Sequence, residues 1–157
     1  MAKADKKLKT LARCNLFKTL PQEGLALAAA ACVEGNAKEG EAIVVEGTPA
    51  DALYVVVAGQ VDYVKRVDAQ RGLVISRWRE GDVFGLNALM DGAGHIASAL
   101  ATTAVKYLQL PAEDFRKLCA ADPVYEHRIL TQMILLQSSR LRHVTDRLRE
   151  FLVKILK

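Results

Sequence analysis

No glycine and no proline occurs from Val124 to Lys157, and this stretch carries an apolar repeat that suits a helix. Leu130, Ile134, Gln137, Leu141, Val144, Leu148, Phe151 and Ile155 follow steps that alternate four and three. Such steps build a heptad seam. Ile134, Leu141, Leu148 and Ile155 take one core position, and Leu130, Gln137, Val144 and Phe151 the other. Only Gln137 is polar. The flanking Arg140, Arg142, Asp146, Arg147, Arg149 and Glu150 read as solvated faces. Ile129, Met133 and Leu136 widen the apolar face at the start, so the first turns are expected to pack on the rest of the chain. Beyond Leu141 the helix outruns a domain of this size, and a seam left in water exposes a large apolar stripe. A parallel homodimer through the seam is the expectation, with Gln137 beside its symmetry mate fixing register. The alternative is a helix packed back on its own domain.

The remaining chain divides by texture. Residues 111–157 read as helical throughout. Pro111 opens them, Ala112–Ala120 forms a short helix, and Asp122-Pro123 marks a break and restart, proline being suited to a first helical turn. Residues 35–110 are rich in glycine and β-branched residues. Ala42–Val45, Leu53–Val57, Val61–Val67, Leu73–Trp78 and Ala104–Leu110 are short apolar or alternating runs bounded by turn residues, which predicts an all-β roll or barrel. Gly47, Gly59 and Gly81 sit where strands must reverse, and tight turns suffice to explain them. Residues 7–33 read as helical, broken at Pro21, with Gln22–Cys32 restarting on Ala and Leu. The sum is one mainly β domain over 1–157: an N-terminal helical segment, a jelly-roll-like β-roll and C-terminal helices ending in the long one.

A chain of 157 residues is long enough to bury a core without staples, hiding roughly 70% of its extended surface. The formal net charge of +4 is mild and does not argue for nucleic acid. Cys14, Cys32 and Cys119 are odd in number and far apart, which reads as reduced thiols. The Lys-rich start lacks a following apolar run, so no signal peptide is expected. Leu25–Val33 is too short to span a membrane. Both points favour the cytoplasm.

The middle block carries a more specific order of turns. Gly40-Glu41-Ala42-Ile43-Val44-Val45-Glu46-Gly47 precedes Leu53–Val57 with Ala58-Gly59-Gln60-Val61. Gly81-Asp82-Val83-Phe84-Gly85 and a later Ala97-Ser98 follow. This series resembles the cyclic-nucleotide-binding domains of the catabolite activator protein superfamily, over nearly the whole chain from Leu16 to Leu156. The resemblance implies that residues 84–98 are a phosphate-binding cassette, a short helix and loop between two strands. Its candidate ligand-binding residues are Phe84, Gly85, Leu86, Asn87, Ala88, His95, Ile96, Ala97 and Ser98. Unpaired N–H groups at a helix start suit a phosphate, and Gly85 lets backbone approach closely.

Two positions depart from the family. Binders of cyclic nucleotides carry a Glu directly after Phe-Gly for the ribose hydroxyl, and here Leu86 stands there. They carry an Arg shortly before the Ala-Ser pair for the cyclic phosphate, and here the position falls on His95. Leu86 accepts no hydrogen bond. His95 is mostly neutral at pH 7 if unperturbed and lacks the guanidinium fork. Each lost charge-assisted bond forfeits about 1.5–3 kcal/mol, and two cost roughly two or more decades of affinity. Weak or absent binding of cyclic AMP and cyclic GMP is therefore expected. No cofactor is certain; a cyclic nucleotide or another small anion is the candidate. For His95 the readings are a surface residue, a residual anion contact, or a metal or haem ligand. Asn87 reads either as a cap of the cassette helix or as a ligand contact. The family's regulators place base-contacting polar residues along the long helix, a region that falls near Arg140 and Leu141. Their helix-turn-helix domain follows that helix; no DNA-reading domain is expected within this chain.

Catalysis is not expected. His95, His127 and His143 form no His-x-His, so a cupin-type metal site is disfavoured. Neither a Gly-x-Ser-x-Gly elbow nor a Walker loop occurs. The leading reading is a regulatory, ligand-sensing domain. A ligand-free protein-interaction scaffold competes with it, as does a true cyclic-nucleotide binder with an atypical cassette. A haem or cluster sensor is weaker.

Overall fold

The computed structural model describes residues 2–157, apart from the side chain of Lys3. Two helices, α1 (Ala2–Arg13) and α2 (Gln22–Ala31), lead into strands β1 (Val33–Ala37), β2 (Ala42–Val44), β3 (Ala52–Ala58), β4 (Val61–Arg66), β5 (Gly72–Trp78) and β6 (Val83–Phe84). A short helix α3 (Leu86–Asp91), strands β7 (Ser98–Ala101) and β8 (Val105–Pro111), and helices α4 (Ala112–Ala121) and α5 (Pro123–Ile155) complete the chain. The strands form two antiparallel four-stranded sheets, ordered β1-β8-β3-β6 and β2-β7-β4-β5. This is the β-roll with flanking helices that the sequence predicts.

Strand β3 sits between two cores, which explains its unbroken apolar run. Alternate side chains of a strand point to opposite faces. Leu53 and Val55 enter a core shared with α1, α2, α4 and the start of α5, while Ala52, Tyr54 and Val56 enter the space between the sheets. Aromatic rings fill that inner space. Tyr54 stacks on Phe84 at 5.0 Å, Phe84 stacks on Trp78 at 5.1 Å, and Tyr63 lies against Trp78 at 4.4 Å. Gly47, Gly59 and Gly81 all take positive φ, as their turns require.

Some boundaries differ from the sequence reading. Helix α1 ends at Arg13, and turns occupy the chain up to Leu20. Val33, read as the end of a helical segment, instead opens β1 and pairs with Gln109; the extended backbone of Cys32 has already ended α2. Strand β7 escapes a pattern search because Ser98-Ala99-Leu100-Ala101 holds mostly small side chains.

Helix α5 begins where expected. The Asp122 carboxylate accepts a hydrogen bond from the Val124 amide at 2.7 Å, and Pro123 fills the first turn, where its missing N–H costs nothing. Ile129 and Met133 are buried in the helical core and Leu136 packs against it. Large side chains so placed contribute about 1.5–3 kcal/mol each when fully buried. Leu130, Ile134, Leu141, Val144, Leu148, Phe151 and Ile155 remain exposed along the other flank. No helix among the described residues is long and apolar enough to cross a membrane.

Candidate functional site

Strand β6 delivers Phe84 to the aromatic stack, and Gly85 then turns the chain into α3. Its φ of 84° is left-handed, and a Cβ there would stand 2.9 Å from the Ala52 carbonyl oxygen, so both conformation and space call for glycine. Gly92, also left-handed, ends α3, and its amide donates to the Ala88 carbonyl at 3.0 Å. The following loop is stitched to the turn after β2. The Gly47 amide donates to the His95 carbonyl at 2.8 Å, and the His95 amide to the Thr48 carbonyl at 2.9 Å. The Ser98 hydroxyl accepts from the Glu46 amide at 2.9 Å. Lys65 clamps the same place from β4, donating to Glu46 at 2.6 Å and to the Ile96 carbonyl at 2.9 Å. The Lys65 ammonium and the Arg66 amide hold the Glu46 carboxyl below its ordinary value.

The cassette residues are brought together as one helix and loop, but their side chains divide. Leu86, at the position where the resemblance implies Glu, is 1% exposed and belongs to the helical core with Leu89, Phe115 and Leu118. Ala88 and Ala97 are also buried, and Ile96 is exposed. His95 corrects the reading as a surface residue: it is 6% exposed. Burial pushes its pKa below the usual imidazole value, with Asp51 opposing the shift. Asn87 corrects the reading as a helix cap. The cap position belongs to Gly85, and no side chain bonds to it. The Asn87 carboxamide oxygen instead accepts a hydrogen bond from Gln137 of α5.

That bond is one of three that tie α5 to the cassette and to the neighbouring strands β5 and β6. The Arg140 guanidinium donates to the Val83 carbonyl and sits over the Trp78 ring, 5.4 Å from its centroid. Arg147 donates to the Val74 carbonyl on β5 at 2.9 Å. Arg140 and Arg147 therefore do not belong to a purely solvated face. The signal for Arg140 was present: Ile129, Met133, Leu136 and Arg140 continue one helical face in steps of four, three and four. Gln137, expected beside its symmetry mate, turns its amide to its own cassette.

Arg140 is half-buried, and desolvation lowers its pKa, with Asp82 and Tyr63 opposing. The Tyr63 phenol, buried nearby, is pushed up to about 12, mainly by desolvation, with Arg140 and the Ala97 backbone pulling the other way. Two carboxamides thus join α5 to the cassette, while the Arg140 guanidinium and the Tyr63 ring meet at Trp78 beside it. Among the described residues, no cluster of three or more His, Cys, Asp or Glu side chains is placed to hold a metal ion.

Comparison with known proteins agrees with this geometry. The family model described as a cyclic nucleotide-binding domain matches residues 34–122. A cAMP-dependent protein kinase regulatory subunit from Aspergillus niger is 38% identical over 79 residues, 50% of this chain and 18% of that protein. A CRP-like cAMP-activated global transcriptional regulator from Mycobacterium tuberculosis is 23% identical over 142 residues, 90% of this chain and 62% of that protein. Both relatives extend well beyond what this chain spans. Among solved structures, a cyclic nucleotide-binding domain from Methylobacillus flagellatus superposes with a TM-score of 0.78 at 22% identity, covering 92% of this chain and 81% of that one. At that identity the likeness speaks for the fold.

Proposed function

This chain belongs to the cyclic nucleotide-binding domain family, and on that premise we propose a regulatory domain that binds cyclic AMP and cyclic GMP weakly or not at all. It works through contacts with a second copy or with a protein partner, and it has no catalytic role. The observation that carries this reading is the burial of Leu86 and His95, at 1% and 6% exposure, where the resemblance implies a ribose-binding Glu and a phosphate-binding Arg. Leu86 offers no acceptor. His95 is held toward its neutral form by desolvation. The exposed seam of α5 supports the dimer, because large unpartnered apolar stripes mark interaction surfaces.

Isothermal calorimetry with each nucleotide tests the reading. Affinities weaker than micromolar are expected, and sub-micromolar binding of either would overturn it. The rival scaffold reading draws on the aromatic stack that fills the space between the sheets. Native mass spectrometry of the purified protein separates the two: a retained small molecule excludes a ligand-free scaffold.

A further inference from the structure

Arg140 is a half-buried cation whose charge is compensated only at a distance, by Asp82. Among the described residues it has no carboxylate partner. The nearby Asp82 forms no salt bridge with it: its oxygens accept from the Asn15 side chain at 3.0 Å and from the Arg79 amide at 2.9 Å, so its charge reaches Arg140 only through space. The one hydrogen bond Arg140 makes within the described chain runs to the neutral Val83 carbonyl, and a guanidinium has five donors. A charge withdrawn from water is costly unless it is paired. The Trp78 face compensates only in part.

The surroundings suit an anion. Val83 immediately precedes Phe84 and Gly85, so the guanidinium stands at the entrance to the cassette turn. The Tyr63 phenol ring lies against the same Trp78 ring that Arg140 covers, and Gln137, three residues before Arg140 on α5, bonds to Asn87 of the cassette helix. Guanidinium and phosphate match as donor fork and oxygen acceptors.

We propose that Arg140 is the anion-binding residue of this domain: it meets the phosphate group of a small phosphate-bearing ligand from α5, in place of a cation in the cassette loop. The inference rests on the reading of the chain as a ligand-sensing domain with a weak cassette. Its consequence is that ligand occupancy is felt directly by α5, because the residue that meets the anion belongs to that helix.

Trp78, the single tryptophan, reports on the site through its contact with Arg140. Its fluorescence is followed while cyclic AMP or inorganic phosphate is titrated into the full chain at constant ionic strength, with heteronuclear NMR as a second readout. The wild type is expected to respond with a millimolar midpoint. Arg140→Gln should weaken the response about ten- to hundredfold, Arg140→Lys less, and His95→Gln hardly at all. A response to both probes identifies a free-anion site, and a response to cyclic AMP alone identifies a nucleotide phosphate. Circular dichroism verifies that the variants are folded, and Arg140→Lys, which keeps the charge, controls for lost packing. The proposal is overturned if neither probe perturbs the wild type, or if folded Arg140→Gln titrates like the wild type. Sub-micromolar cyclic AMP binding that Arg140→Gln abolishes would overturn the weak-cassette reading and leave the assignment of Arg140 standing.

Discussion

The Arg140 guanidinium covers the Trp78 ring at 5.4 Å while donating to the carbonyl of Val83. This one contact joins the long helix to the inner aromatic stack and to strand β6, one residue before the cassette. The stack leads on through Phe84 to Tyr54, with ring centroids 5.1 and 5.0 Å apart.

Leu86 should tolerate substitution poorly. It is 1% exposed in the helical core that also holds Leu89, Phe115 and Leu118, so Leu86→Ala is expected to cost about 2–5 kcal/mol. Leu86→Glu should cost more, because a carboxylate would be desolvated there without a partner. Thermal denaturation gives the order wild type, then Ala, then Glu, by decreasing midpoint. A Glu variant as stable as the wild type would mean that this side chain swings out of the core and that a ribose-binding geometry is within reach.

Much of this was legible from residues alone. Strands β2, β3, β4, β5 and β8 announced themselves as short apolar or alternating runs bounded by turn residues, whereas β1, β6 and β7 did not, and the seam from Leu130 to Ile155 stood out as an unbroken alternation of steps. The cassette was recognisable by its order of turns around Phe84 and Gly85. The orientation of its side chains was not. A histidine in a glycine-rich loop carries no periodicity that reveals its burial; the loop that holds buried His95 is fixed by backbone hydrogen bonds to Gly47 and Thr48, some fifty residues earlier. Asn87 likewise finds its partner on another element. The charge of Arg140 points to solvent, but its spacing from Ile129, Met133 and Leu136 places it on the inward face.

Stability should fall in mild acid through His95. Its folded pKa lies below the ordinary 6.5, because burial disfavours the charged imidazolium. The unfolded chain then binds the proton more readily than the folded one. Well above pH 6.5 the ring is neutral in both states and nothing is lost. As pH falls below 6.5 toward the depressed folded pKa, the unfolded state gains and stability declines. Between pH 7 and pH 5 the wild-type midpoint is therefore expected to drop further than that of His95→Gln. Parallel curves would remove His95 as the cause.

Gly85→Ala tests the cassette turn. The left-handed φ and the 2.9 Å approach to the Ala52 carbonyl both oppose a Cβ. Left-handed backbone alone costs a non-glycine residue about 1–2 kcal/mol, and the contact adds to it. Gly92→Ala is the comparison, since that site is left-handed with nothing within 4 Å of a built Cβ. Chemical denaturation should show the larger loss at Gly85, and equal losses would show that the close approach relaxes freely.

Leu148→Glu tests assembly. Leu148 is 56% exposed on the protomer, far along α5 from the buried Ile129 and Met133, so its substitution leaves the core untouched. In a paired seam it would be buried, and a carboxylate there must be desolvated or force the helices apart. Each large apolar side chain that pairing buries contributes about 1.5–3 kcal/mol, so Leu141, Leu148, Phe151 and Ile155 together supply a strong drive to associate. Their spacing of seven, three and four is that of a heptad seam, and the basic residues Arg142 and Arg149 border it without interrupting it. Gln137, bonded to Asn87 of its own chain, offers no register-fixing pair, which places the specificity of pairing on the apolar residues beyond Leu141. Sedimentation equilibrium at micromolar concentration is expected to give a dimer for the wild type and a monomer for Leu148→Glu, with unchanged circular dichroism from the sheets. A wild-type monomer would mean that the stripe awaits a different protein, and a dimeric Leu148→Glu would place the interface elsewhere.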